Sequence, residues 1–256
     1  RYPDRVSYFR AKHRIFQGAR HAVINLDDPL SQPLLNEGMV PHFFGAHRVD
    51  LDVFSTREDE TGLWLTHGLD NLMHASELQV AGDHNVANVL AALAIGQAAG
   101  LPMAPMLAAA RRFRGLPHRS QTVRVHNGIA WINDSKATNV GATRAAIESL
   151  APRDGRIVLI AGGDAKGADF SELRRVVSGR VRYLVVLGRD GRCLLNELAD
   201  EVPGVEVRDM SEAVETAAGI AQPGDRVLLS PACSSLDQYT SYEARGDAFI
   251  QAVEAL

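Results

Sequence analysis

Arg156-Ile-Val-Leu-Ile-Ala161, followed at once by Gly162-Gly-Asp-Ala-Lys166, is an apolar run too short for a helix that ends in a glycine turn. Arg182 to Leu187 and Asp225 to Leu229 repeat the arrangement and run into turns at Gly188 and Ser230. Helical segments separate the three runs. Strands that alternate with helices build a parallel α/β sheet. Ligands of such sheets bind outside the carboxyl ends of the strands, so the loops that begin at Asn133, Gly162, Gly188 and Ser230 are expected on one edge.

Upstream of the first run, Thr122 to His126 and Ile129 to Ile132 alternate apolar and polar residues around Asn127-Gly128, the pair that suits a two-residue hairpin turn. The polar loop Asn133-Asp-Ser-Lys-Ala-Thr-Asn139 follows, and then a helix is expected to start near Val140. Ser135, Lys136 and Thr138 would sit beside that helix N-terminus, where free N–H groups and the helix dipole favour an anion. The same loop also reads as a solvated turn in which Asp134 or Ser135 caps the helix. Lys166 reads either as a second ammonium on the same edge or as a surface lysine in a glycine turn. His118-Arg119, after the helix-closing Gly115, fits a hinge between domains or a plain linker with an Arg ion pair.

The N-terminal region is less regular. Residues 4–19 carry a partial apolar stripe of Val6, Phe9, Ile15 and Phe16 and read as a helix; His21 to Asn25 reads as a strand. Short strands are expected between residues 37 and 80, at Leu63 to Thr66 and Leu78 to Val80 among others. Asn85 to Ala99 is an Ala-rich helix closed by Gly100, and Pro105 to Phe113 is another. Asn85 and Asn88 lie three apart at a helix start, where amides either cap and face solvent or read an adenine edge as donor and acceptor. On its own Lys12 reads as a solvated helix lysine.

Composition narrows the function classes. The chain has 256 residues, 46% of them hydrophobic, enough for two ordinary domains. A net charge of −4 leaves no global basic field for nucleic acid or a membrane surface. The two cysteines, Cys193 and Cys233, fit neither a disulfide framework nor a Cys-based zinc site. No apolar run has the roughly 18 to 20 residues of a membrane helix, so a cytoplasmic protein without nucleic-acid or membrane partners is expected.

The ordered set Leu116-Pro-His-Arg119, Asn133-Asp-Ser-Lys-Ala-Thr-Asn139, Gly162-Gly-Asp-Ala-Lys166 and Ser230-Pro-Ala-Cys-Ser-Ser-Leu-Asp-Gln238 resembles the ATP-dependent amide ligases of peptidoglycan precursor synthesis, the Mur ligase family. Lys136-Ala-Thr138 matches the branch that adds D-glutamate; branches adding other amino acids carry other residues there. The resemblance spans essentially the whole chain. It implies that residues 1–115 are the C-terminal part of a central ATP-binding domain and that residues 116–256 form a Rossmann-like, parallel-sheet domain for D-glutamate. UDP-N-acetylmuramoyl-L-alanine, D-glutamate and ATP with Mg²⁺ would be the reactants, and a monomer is expected.

Residue by residue, the resemblance gives Lys136, Thr138, Lys166, Ser235, Leu236 and Tyr242 to the amino acid. Tyr242 departs from the Phe usual there. Asn85, Asn88, His118, Arg119, Asn133 and Asp134 go to the nucleotide. Lys12, His118, Arg119 and Lys136 would act in catalysis, Lys12 as a carbamate that holds the metal. The chain opens on Arg1-Tyr2-Pro3 and contains no Gly-x-x-x-x-Gly-Lys-Ser/Thr phosphate loop. The expectation is a C-terminal portion that lacks that loop and a uridine-nucleotide domain, inactive alone. Another ligase of the same superfamily, such as a folylpolyglutamate type, and a non-catalytic ligand-binding module are the alternatives.

Overall fold

The computed structural model describes residues 2, 4–33, 38–48, 50–80 and 82–256, apart from the side chains of Arg5 and Ser31. Arg1 and Pro3 of the opening tripeptide, and residue 37, at which the short-strand expectation begins, lie outside the described residues. The chain divides into two compact units, Arg1–Arg114 and Gly115–Leu256.

The first unit begins with α1 (Arg5–His13), capped by the Asp4 carboxylate on Ser7 N–H, and then tightens into a 3₁₀ turn at Arg14–Phe16. The single helix expected over residues 4–19 is therefore shorter, and its apolar stripe does not make a buried seam, since Val6 and Ile15 are 59% and 77% exposed. Among the described residues five strands follow: β1 (His21–Asn25), β2 (Val40–Phe44), β3 (Val53–Asp59), β4 (Gly62–His67) and β5 (Asp70–His74). They lie in chain order, parallel from β1 to β3 and antiparallel from β3 to β5. Leu78 to Val80 is not a strand. The chain instead makes a 3₁₀ turn at Ala75–Glu77, where the His74 ring and the Glu77 carboxylate form a capping box that takes the backbone out of the sheet.

α2 (Asp83–Ala98) and α3 (Met103–Arg112) cover this sheet with Val89, Leu90, Leu93, Ala94 and Leu107 against Phe54, Leu65 and Met73. A Cβ on Gly96 would run into the Met106 sulfur, so the missing side chain sets how closely the two helices pack.

The second unit is a single sheet in the order β10-β9-β8-β11-β7-β6. The antiparallel hairpin of β6 (Gln121–His126) and β7 (Ile129–Asn133) turns at Asn127 and Gly128, both at positive φ. The other members, β8 (Ile157–Gly162), β9 (Val181–Leu187), β10 (Gly204–Glu206) and β11 (Arg226–Leu229), pair in parallel with one another and with β7. Every residue of β8 is buried, as a central strand covered on both faces requires. Ile157, Leu159 and Ala161 face the core shared with α4 (Val140–Leu150), α5 (Arg174–Val177) and α6 (Gly191–Leu198). Val158 and Ile160 face the core shared with α7 (Met210–Ile220) and α8 (Tyr242–Glu254). At the opposite end of the sheet, buried Asp225 receives the Arg182 guanidinium at 2.6 and 3.0 Å and the N–H groups of Arg156 and Gln222. Burial works against that charge, but the hydrogen bonds outweigh it and hold the carboxyl below its ordinary value.

After β8 the chain moves outward to β9 and β10, then returns to place β11 on the other side of β8. The exits of β8 and β11 thus flank the switch point of the sheet, where such folds open a ligand crevice. Among the described residues no helix is long and apolar enough to cross a membrane.

Cys193 is exposed on α6, whereas Cys233 is 1% exposed and burial pushes its thiol up to about 12. A thiol-specific reagent added to the native chain should label Cys193 alone, with Cys233 reacting only in denaturant. Labelling of both in the native state would contradict the packing around β11.

Candidate functional site

Three strand exits meet at the switch point. Past β7 the loop carries Asp134, Ser135, Lys136 and Thr138; past β8 it carries Asp164 and Lys166; past β11 it carries Cys233, Ser234 and Ser235. The β8 and β11 loops are joined by a pair of 2.9 Å hydrogen bonds between the backbones of Asp164 and Ser234. Gly163, at φ 125°, sits where a Cβ would collide with the Ser234 carbonyl, so this crossing needs glycine. The β7 loop is tied to β11 by Ala232 N–H on the Ala137 carbonyl, and to the segment ahead of β6 by Lys136 N–H on the His118 carbonyl.

The Lys136 ammonium lies 3.9 Å from the centroid of the Tyr242 ring at the start of α8. This cation–π contact holds a flexible side chain at the edge of the crevice. The phenol donates to the Glu243 carboxylate, which pushes the Tyr242 hydroxyl up. Thr138 is half-buried beside it, Ser235 is 3% exposed, Leu236 is 62% exposed, and Lys166 is exposed at φ 52° with its N–H on the Asp164 carboxylate. The structure therefore brings Lys136 against Tyr242, with Thr138 in the same loop, and Lys166 and Ser235 onto the joined β8 and β11 loops.

The loop's other polar residues turn inward. Asn139, not Asp134 or Ser135, caps α4, accepting from Ala142 N–H at 2.9 Å. Asp134 is 8% exposed and accepts from Ser120 N–H and the Ser230 hydroxyl. Burial penalises its charge more than these donors and nearby Arg119 favour it, so its carboxyl is pushed up to about 6. The Asn133 amide donates to the Gly246 carbonyl, contacts His118 Nδ1 at 3.1 Å, and accepts from Ser135 N–H. His118, 7% exposed and at φ 60°, presses its ring against Gly246, where a Cβ would collide with Nδ1. Asp247 lies 3.7 Å from its Nε2. Arg119 beside it is exposed. The His-Arg pair is thus split: His118 locks the loop onto α8 and Arg119 is free to reach an anion.

One residue at the centre of this site is not singled out by the motifs. Arg245, 2% exposed on α8, donates from Nε to Ser135 Oγ at 3.1 Å, from Nη2 to the Ser135 carbonyl at 3.0 Å, and to the Cys233 and Gly162 carbonyls at 3.2 and 3.5 Å. Burial lowers its guanidinium to about 10. Its signal in the sequence is its helical spacing: Arg245, Phe249 and Val253 fall at i, i+4 and i+8, which places a charge on the apolar face of α8.

In the first unit, Asn85 is half-buried and Asn88 exposed on the opening turns of α2, and neither is its N-cap, which is Gly82. Lys12 is exposed on α1 with its ammonium 5.4 Å from the centroid of the Tyr8 ring. Among the described residues no three His, Cys, Asp or Glu side chains converge to hold a metal ion. An ammonium has no lone pair to offer, and Lys12 would supply oxygen donors to a divalent cation only as a carbamate.

The Mur ligase middle domain model matches residues 1–96, and the Mur ligase glutamate ligase domain model matches residues 118–233. The chain is 53% identical over 256 residues to a UDP-N-acetylmuramoylalanine--D-glutamate ligase of Marinobacter nauticus, and 48% identical over 257 residues to the protein of that name from Pseudomonas aeruginosa. Both alignments cover all of this chain and 57% of the relative, so the chain spans little more than half the length of these proteins. Among solved structures it is similar to a UDP-N-acetylmuramate-alanine ligase of Thermotoga maritima, with a TM-score of 0.68 at 17% identity, covering 99% of this chain and 56% of that one. A bifunctional folylpolyglutamate synthase/dihydrofolate synthase of Yersinia pestis gives the same TM-score at 20% identity, covering 99% and 57%. At such identities these likenesses show the fold.

Because Asp134 binds its proton more tightly folded than unfolded, its contribution to stability is complete below pH 3.8 and lost as the pH rises through about 6. Between pH 7.5 and pH 5 the native chain should gain about 1 kcal/mol from this group, a gain that Asp134→Asn removes. Urea unfolding of the second unit at both pH values measures it. Parallel profiles for the two proteins would contradict the assignment.

Proposed function

The chain belongs to the Mur ligase family, and we propose that the complete gene product is an ADP-forming amide ligase that joins D-glutamate to UDP-N-acetylmuramoyl-L-alanine for peptidoglycan precursor synthesis. The convergence of Lys136, Lys166 and Ser235 at one switch point carries this reading. Glutamate presents two carboxylates, and these loops offer two separated anion sites. Support comes from the 48–53% identity to ligases that are named for this reaction.

In the proposed reaction a carboxylate oxygen of the L-alanyl group attacks the γ-phosphorus of ATP. ADP departs and an acyl-phosphate remains. The amine of D-glutamate attacks the acyl carbon with its lone pair and loses a proton, the bond to the phosphate oxygen breaks, and amide and inorganic phosphate result. The protein's share is positioning and neutralisation of charge. Lys136 and Thr138, with Lys166, hold one carboxylate of glutamate. Ser235, the backbone at Leu236 and the Tyr242 region hold the other. Arg119 neutralises phosphate charge, and His118, Asn133 and Asp134 keep its loop in place. Asn85 and Asn88 are assigned to the adenine. Mg²⁺ accompanies ATP in this proposal; Lys12 would help to hold it only as a carbamate, and no step is assigned to it.

Phosphate release from ATP by the complete gene product, supplied with UDP-N-acetylmuramoyl-L-alanine, tests the reading. Release should require D-glutamate and fail with L-glutamate or L-lysine; release with L-lysine instead would overturn the substrate assignment. Lys136→Ala should raise the KM for D-glutamate about tenfold or more, the loss of a charge-assisted contact, with the KM for ATP within about twofold. Unaltered glutamate kinetics would contradict the role given to Lys136.

A further inference from the structure

Arg245 is an unusual way to close the edge of a sheet. A guanidinium has five N–H donors, and its partners here are the Ser135 hydroxyl and the carbonyls of Ser135, Gly162 and Cys233, all neutral oxygens. Each belongs to a different strand exit or to the residue next to a proposed contact: Ser135 precedes Lys136, Gly162 opens the turn that carries Lys166, and Cys233 lies two residues before Ser235. The Ser135 hydroxyl passes the connection on, donating to the Tyr242 carbonyl at 2.8 Å beneath the ring that holds the Lys136 ammonium. One planar group thus fixes the spacing of all three loops.

The choice of a cation is the informative part. Burying a charge is costly, and neutral groups that hydrogen-bond the same carbonyls would cost less. Asp237 is on the joined loops, but its carboxylate accepts from Arg189 N–H at 2.8 Å and makes no hydrogen bond to Arg245. Asp237 still lies near enough for its charge to favour the cation, so the positive charge is balanced in part, while burial works against it. A dianion bound over the loops would complete the match, since a charge buried in the protein is screened less than one in water.

We propose that Arg245 is a positioning residue for the acceptor amino acid: its fork sets the distance between the two carboxylate sites, and its partly balanced charge adds to the field that draws a dicarboxylate into them. The inference rests on the ligase reading above. It assigns specificity for a dicarboxylic acceptor partly to a side chain that never touches the ligand.

Arg245→Lys keeps the charge and loses the planar fork, whereas Arg245→Met removes both at similar volume. In steady-state assays of the complete gene product, Arg245→Lys should raise the KM for D-glutamate about fivefold and Arg245→Met about thirtyfold or more. The KM values for ATP and for UDP-N-acetylmuramoyl-L-alanine should stay within about twofold in both. Added salt should raise the wild-type KM for D-glutamate more steeply than that of Arg245→Met. A general loss of structure would instead lower kcat and disturb all three KM values together. An unchanged glutamate KM in Arg245→Lys, or a rise shared by all three substrates, overturns the proposal. Should Arg245→Met fail to fold, the three KM values of Arg245→Lys decide it. Wild-type enzyme that releases no phosphate with D-glutamate would overturn the ligase reading rather than this inference.

Discussion

Loops that leave the end of a parallel sheet carry carbonyls that have no ladder partner, and a buried carbonyl without a partner is costly. In the second unit the exits of β7, β8 and β11 meet this constraint at a single point, the guanidinium of Arg245. The backbone pairing of Asp164 with Ser234 and the strap from Lys136 to His118 add to it. Loops held this way have little freedom to rearrange. Lys136 and Lys166, which project from them, and the buried Ser235 are accordingly set by the backbone rather than by one another.

The same constraint explains why so much polar sequence is structural. Asp134, Asn133, Ser135 and His118 are spent inside the loop network, on Ser120, Ser230, Gly246, Tyr242 and one another. What remains for a ligand is a smaller set of cations and hydroxyls at the surface of the crevice. A rigid, hydrogen-bonded base beneath a few projecting charges suits recognition of a small, doubly charged molecule, because little ordering is left to be done on binding.

Much of the fold is legible in the sequence because burial on both faces writes long apolar strands. The runs at residues 156–161, 182–187 and 225–229 became β8, β9 and β11 with boundaries shifted by a residue, and Asn127-Gly128 marked the hairpin. The three-residue β10 carries too little pattern to be read. Leu78 to Val80 looked like a strand because it is short and apolar at its ends, but the capping box at His74 and Glu77 had already turned the chain. In the site, residue types named the cations and hydroxyls, yet not which of them face inward. Asp134 and Ser135 are residue types that cap helices, but it is Asn139 that caps. Arg245 was hidden because a single charge in a polar-looking helix start is ordinary until the i, i+4 spacing with Phe249 is weighed.

The central claim is that the loops after β7, β8 and β11 hold the acyl acceptor. A crystal structure of the complete gene product with UDP-N-acetylmuramoyl-L-alanyl-D-glutamate bound tests it most directly. The account predicts one glutamyl carboxylate against Lys136, Thr138 and Lys166, the other against Ser235 and the backbone at Leu236, and Arg245 unmoved beneath them. A glutamyl group seated elsewhere, with these loops making no contact to it, would contradict the account.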